Sequence, residues 1–84
     1  MMNKTYNILV VDDETSMREF LSVLLSKEGY KVSDAKNGKQ ALNMIQKNNY
    51  DLILTDIRLG DITGLEVLRE AKKKDTDIIV IMIS

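Results

Sequence analysis

Acidic side chains stand where short apolar runs end, and their chemistry is the first thing this sequence offers. Asp12, Asp13 and Glu14 follow Ile8-Leu9-Val10-Val11 directly, and Asp56 follows Leu52-Ile53-Leu54 after a single threonine, Thr55. The 84 residues include no histidine and no cysteine. Imidazole and thiolate metal sites, a histidine general base and disulfides are therefore excluded. Any metal must sit on oxygen, which favours magnesium, calcium or manganese. Carboxylates brought close together repel one another unless a cation intervenes. Magnesium suits such a set best, because it takes one or two carboxylates, keeps several waters and accepts a phosphate oxygen. An aspartate in that setting can act as a nucleophile toward phosphorus, with the ion neutralising the transferring group.

The elements that must position these acids are legible as alternating patterns. Ile8–Val11 is a continuous apolar run of strand length. Met17, Phe20, Leu21, Leu24 and Leu25 recur at helical spacing and stop before Gly29, a natural C-terminal breaker. A second, weakly patterned strand is expected over Tyr30–Ser33. Asn37-Gly38-Lys39-Gln40 predicts a helix start, with Ala41, Leu42 and Ile45 turned inward. The third strand covers Leu52–Leu54. Thr63-Gly64-Leu65-Glu66 predicts a capping box and a third helix with Leu65, Leu68 and Ala71 on its apolar face. Ile78–Ile83 then reads as a strand apolar on both faces, and Ser84 ends the chain.

The order is β-α-β-α-β-α-β with no proline or low-complexity break. Unbroken apolar strands are covered on both faces, so the expected fold class is α/β, a doubly wound parallel sheet. Ligands in such sheets bind beyond the carboxyl ends of the strands. If the strand order is 2-1-3-4, Asp12, Asp13 and Asp56 meet there and Ser84 borders the same hollow.

Each feature alone has a plainer explanation. Acids after a strand suit the dipole of the following helix, and one Asp at a strand end is usually a turn or cap. Together they are specific. The remaining composition narrows the function classes. A net charge of −1 without a clustered basic face gives no sign of nucleic-acid contact. Met1–Tyr6 has no signal-peptide pattern and no run approaches a membrane span, so the expected setting is cytoplasmic.

At this point the chain resembles the receiver domain of bacterial two-component response regulators. Ile8-Leu9-Val10-Val11-Asp12-Asp13-Glu14 is similar to that family's first strand and acidic pair. Asp56-Ile57-Arg58-Leu59 and Gly64-Leu65-Glu66-Val67-Leu68 are similar to its phosphoacceptor strand end and next helix. The resemblance implies a flavodoxin-like sheet of order 2-1-3-4. It also implies Asp56 as phosphoacceptor and Mg2+ held by Asp13, Asp56 and the Arg58 backbone carbonyl, with Asp12 assisting through water. Ser84 is implied as phosphate contact and switch, and a sensor histidine kinase as partner. Ser16-Met17-Arg18-Glu19-Phe20-Leu21 looks like receivers attached to transcriptional activators of the AAA+ type, and the resemblance implies control of an output such as transcription.

The chain departs from the family in two places. Gly60 and Thr63 stand where the family commonly has proline and aspartate, which is expected to loosen the loop while keeping the helix cap. The family also continues with a helix, a lysine-bearing fifth strand and a further helix, so residues 1–84 read as one receiver domain lacking its C-terminal part. Strand four then becomes an exposed apolar edge open to self-association or swapping. Without the lysine, weaker phosphate retention or switching is expected. Two alternatives stand beside the signalling switch. A magnesium-dependent phosphohydrolase would need a second acid where Arg58 stands, and a non-phosphorylated interaction module would not need the acids at all.

Overall fold

The computed structural model describes residues 4–83. Strands β1 (Asn7–Val11), β2 (Lys31–Ala35), β3 (Leu52–Asp56) and β4 (Ile79–Ile83) alternate with helices α1 (Thr15–Lys27), α2 (Gly38–Lys47) and α3 (Gly64–Lys74). The strands form one parallel sheet in the order β2-β1-β3-β4. Val11 pairs with Ala35 on one side and Thr55 on the other, and Asp56 pairs with Ile83. The carboxyl ends of all four strands are thus level.

The apolar runs bury as their composition requires. Leu9, Val10, Val11 and Ile53 are fully buried because β1 and β3 are the inner strands. Side chains alternate between faces along a strand. Leu9, Val11 and Ile53 join Ala41 and Ile45 of α2 and Val67 and Ala71 of α3 in one core. α2 and α3 also touch each other on that face. The Lys74 ammonium donates to the carbonyls of Ile45 and Asn48, so α3 supplies a charge to the open C-terminal end of α2.

Two helix faces differ from the sequence expectation. The Met17, Phe20, Leu21, Leu24, Leu25 stripe does form a helix, yet no residue of α1 is buried and Phe20 is 61 % exposed. Among the described residues α1 packs chiefly on β2 and β1, so only one edge of its stripe finds partners. In α3 the inward residues are Gly64, Val67 and Ala71, whereas Leu65 is exposed. Leu65 follows the first helical residue, and the 64, 67, 71 spacing turns it outward. β2 also starts and ends later than the expected Tyr30–Ser33, because Tyr30 is used to close α1. Gly29 and Tyr30 donate to the Ser26 and Leu25 carbonyls, with Gly29 at φ +95°.

The N-cap half of each local signal is seen. The Asn37 side chain accepts from the Gln40 N–H at 2.8 Å, and Thr63 accepts from the Glu66 N–H at 3.3 Å. The Gln40 side chain reaches back to the Lys36 N–H at 2.8 Å. Among the described residues no helix is long and apolar enough to cross a membrane.

Candidate functional site

Because β1 and β3 are adjacent and level, their terminal acids converge. One carboxylate oxygen from each of Asp12, Asp13 and Asp56 lies within 4.8 Å of the others. Two oxygens bound to one magnesium span at most about 4.2 Å, so a small inward movement lets this set share an ion. Asp12 is buried, Asp56 half-buried and Asp13 exposed, so the group opens to solvent on one side. The donor set is entirely oxygen, which fits magnesium.

Each acid is held by its neighbours. Asp12 donates its backbone N–H to Ala35 at 3.2 Å, tying the ends of β1 and β2 together. Its carboxylate accepts from the Glu14 N–H at 2.9 Å, closing a local turn just ahead of α1. Asp12 thus closes the turn that leads into α1 and also stands in the acid cluster. Arg18 donates to the Asp12 carbonyl at 2.9 Å and reaches the Asp34 carboxylate at 3.4 Å. The Thr55 hydroxyl, fully buried, donates to the Asp56 carbonyl at 3.0 Å.

The segment of residues 57–63 forms the far wall. Arg58 and Thr63 form an antiparallel bridge, and Gly64 donates to the Ile57 carbonyl at 2.8 Å. Leu59 is 2 % exposed and is drawn into the core. Gly60 adopts φ +84°, and a Cβ there would lie 3.8 Å from an Asp13 carboxylate oxygen. A looser loop is the expectation at this glycine. The glycine takes a backbone conformation that proline, fixed near φ −65°, cannot adopt, and bonds on both sides of it fix the segment.

The Asp61 carboxylate accepts from Gly38 and Lys39 at 3.0 Å each and from Ile62 at 2.8 Å. These bonds, the Lys39 one foremost, hold its carboxyl below the usual carboxylate range. Asp61 and Arg18 carried no sequence signal, because their partners lie far along the chain or on the backbone. Of the expected site residues, Asp12, Asp13 and Asp56 are together and Arg58 lies in the adjoining loop. Ser84 lies outside the described residues.

Known proteins share the sequence pattern and the fold of this chain. Residues 8–84 match the model of the response regulator receiver domain. Sporulation initiation phosphotransferase F of Bacillus subtilis is 39 % identical over 84 residues, which cover all of this chain and 66 % of that protein. The transcriptional regulatory protein ZraR of Klebsiella oxytoca is also 39 % identical over the whole chain, which spans 19 % of its length. This chain therefore spans less than two thirds of these relatives. The response regulator TrrA of Thermotoga maritima, solved with Mg2+-BeF, superimposes with TM-score 0.87 and 45 % identity over 93 % of this chain and 68 % of TrrA. TrrA has also been solved in complex with the histidine kinase ThkA, where the TM-score is 0.84 and coverage is 93 % and 67 %. By the match over residues 8–84 and the shared sheet, this chain belongs to the response regulator receiver domain family.

Proposed function

We propose that this chain accepts a phosphoryl group on Asp56 from a sensor histidine kinase and thereby controls an output such as transcription. The observation that carries this reading is the convergence of three carboxylates at the level ends of β1 and β3. Asp12, Asp13, Asp56 and the Arg58 backbone carbonyl would hold Mg2+, which when bound supplies positive charge against the transferring phosphoryl group. One Asp56 carboxylate oxygen forms the new O–P bond while the bond from phosphorus to the donor breaks, the donor keeping the electron pair. Asp56 ends a buried strand and remains half-open to solvent, so the nucleophile is fixed on one side and accessible on the other. Ser84 is proposed to contact the phosphate and report it. The chain acts as a cytoplasmic switch rather than a metabolic enzyme, since the acid that a phosphohydrolase needs is replaced by Arg58.

Incubation with acetyl phosphate and Mg2+, read by intact mass, tests the reading. One added phosphoryl group is expected with Mg2+ and none with a chelator. No added mass in the presence of Mg2+ would favour a non-phosphorylated interaction module instead.

The exposed edge supports self-association as a second property. Among the described residues β4 pairs only with β3, and its Ile79 and Ile81 side chains are 58 % and 45 % exposed. The strand Ile79–Ile83 carries no charge that would oppose pairing with its own copy. Light scattering after size exclusion is expected to show mass rising with concentration, and a monomer at every concentration would refute this.

A further inference from the structure

The carboxylate cluster is enclosed by a circuit of backbone, and a side chain outside the acid set closes it. Starting at β1, the Asp12 N–H bonds the Ala35 carbonyl at the end of β2. Three residues later, Gly38 and Lys39 begin α2, and their N–H groups point at the Asp61 carboxylate. Asp61 adjoins Gly60, which lies against Asp13. The circuit returns through Leu59 and Arg58 to Asp56. A Cβ at Gly38 would overlap the Ile62 side chain, so the two segments are fitted at that point as well as hydrogen-bonded. The other first-turn donor of α2, the Gln40 N–H, is already taken by Asn37. Asp61 therefore supplies what the helix's own sequence does not. It also places an anion at the positive end of α2.

We propose that Asp61 is a positioning residue for the metal: by fastening residues 57–63 to the start of α2, it holds the Arg58 carbonyl and the Gly60 backbone against the acid cluster. The inference rests on the reading that this cluster takes Mg2+. Partners one layer behind the metal ligands fix the ligands' orientation, and their loss weakens binding without removing any ligand.

Two substitutions separate the clamp from the charge. Both Asp61→Asn and Asp61→Ala remove the negative charge. The amide oxygen of asparagine can still accept from Gly38 and Ile62, which share one oxygen of Asp61, whereas alanine accepts nothing. Titration calorimetry with Mg2+ on the folded chains is expected to show a dissociation constant raised about 10-fold in Asp61→Ala and less in Asp61→Asn. Equal losses in the two variants would assign the effect to charge alone and overturn the clamp. An unchanged constant in both would overturn it too. Coupling must also be reciprocal. In the parent chain, saturating Mg2+ is expected to slow amide hydrogen exchange at Gly38 and Lys39, and unchanged exchange there overturns the proposal even if Asp61→Ala does not fold. If the parent chain binds no Mg2+, the reading of the cluster fails first, a result distinct from either variant outcome.

Discussion

Asp56→Asn is expected to abolish phosphoryl uptake from acetyl phosphate, a loss of more than about 10³-fold, while leaving the fold intact. The amide lacks the anionic oxygen that forms the bond to phosphorus, yet it matches the carboxylate in size at a half-buried position. Its contacts are also little changed. The Arg58 N–H lies 3.5 Å from an Asp56 carboxylate oxygen, and the Thr55 hydroxyl bonds the Asp56 backbone carbonyl rather than the side chain. Asp12→Asn and Asp13→Asn are expected to behave differently. Each keeps an acceptor oxygen but removes charge from the ion site, so uptake should persist and need about 10-fold more Mg2+ for half-saturation. For Asp12 the amide oxygen also preserves the bond from the Glu14 N–H, which an alanine would lose. Uptake measured against Mg2+ concentration separates the two classes. An Asp56→Asn chain that still gains the phosphoryl mass would move the acceptor elsewhere.

Gly64→Ala is expected to destabilise the chain by about 1–3 kcal/mol and to slow uptake as well. A Cβ at Gly64 would overlap the backbone carbonyl oxygen of Asp56 and stand 3.1 Å from the Met82 sulfur and 3.2 Å from the Ile57 Cα. Backbone cannot rotate away as a side chain tip can. Relief must therefore come from moving α3 off the end of β3, which displaces Asp56 itself. Gly29→Ala is the control with a different cause. Gly29 has nothing within 4 Å of the added Cβ, but its φ of +95° costs an alanine about 1–2 kcal/mol. It closes α1 at the opposite end of the sheet from the acids. Urea unfolding should therefore register both substitutions, and the uptake rate only Gly64→Ala. A Gly64→Ala chain of parental stability and rate would show that the helix start is not seated on the acceptor strand.

What the sequence made legible follows the range of the interactions involved. The strands were readable because β1 and β3 are inner strands, and burial on both faces demands continuous apolar runs such as Ile8–Val11. Asn37 and Thr63 were readable because a cap bonds an amide three residues away. The acids were readable because each stands at or just beyond the end of a strand, and the level register then brings them together. Strand order 2-1-3-4 came from the family resemblance rather than from periodicity, and the sheet has that order.

The failures share one cause, which is that their partners are not local. Asp61 bonds amides 22 and 23 residues earlier, so nothing near it in the chain marks it as more than a turn acid. Leu65 is apolar and helical, but whether it faces inward depends on how α3 approaches β3, and the close seat at Gly64 turns it out. The α1 stripe is genuine amphipathic patterning, yet its burial depends on what lies beside the helix on that face. Gly60 read as slack because glycine is permissive. Its role is narrower, since a positive φ lets the loop turn between Leu59 in the core and Asp61 on α2.

The most direct test is to locate the phosphoryl group. The chain is phosphorylated with acetyl phosphate and Mg2+, cleaved, and its peptides sequenced by mass spectrometry under conditions that preserve acyl phosphates. The expected result is a single modified residue, Asp56, on the peptide that also contains Thr55 and Arg58, with no modification when Mg2+ is chelated. A phosphoryl group on Asp12, Asp13 or a hydroxyl side chain such as Thr55, or Mg2+-independent labelling of Asp56, would contradict the site described above.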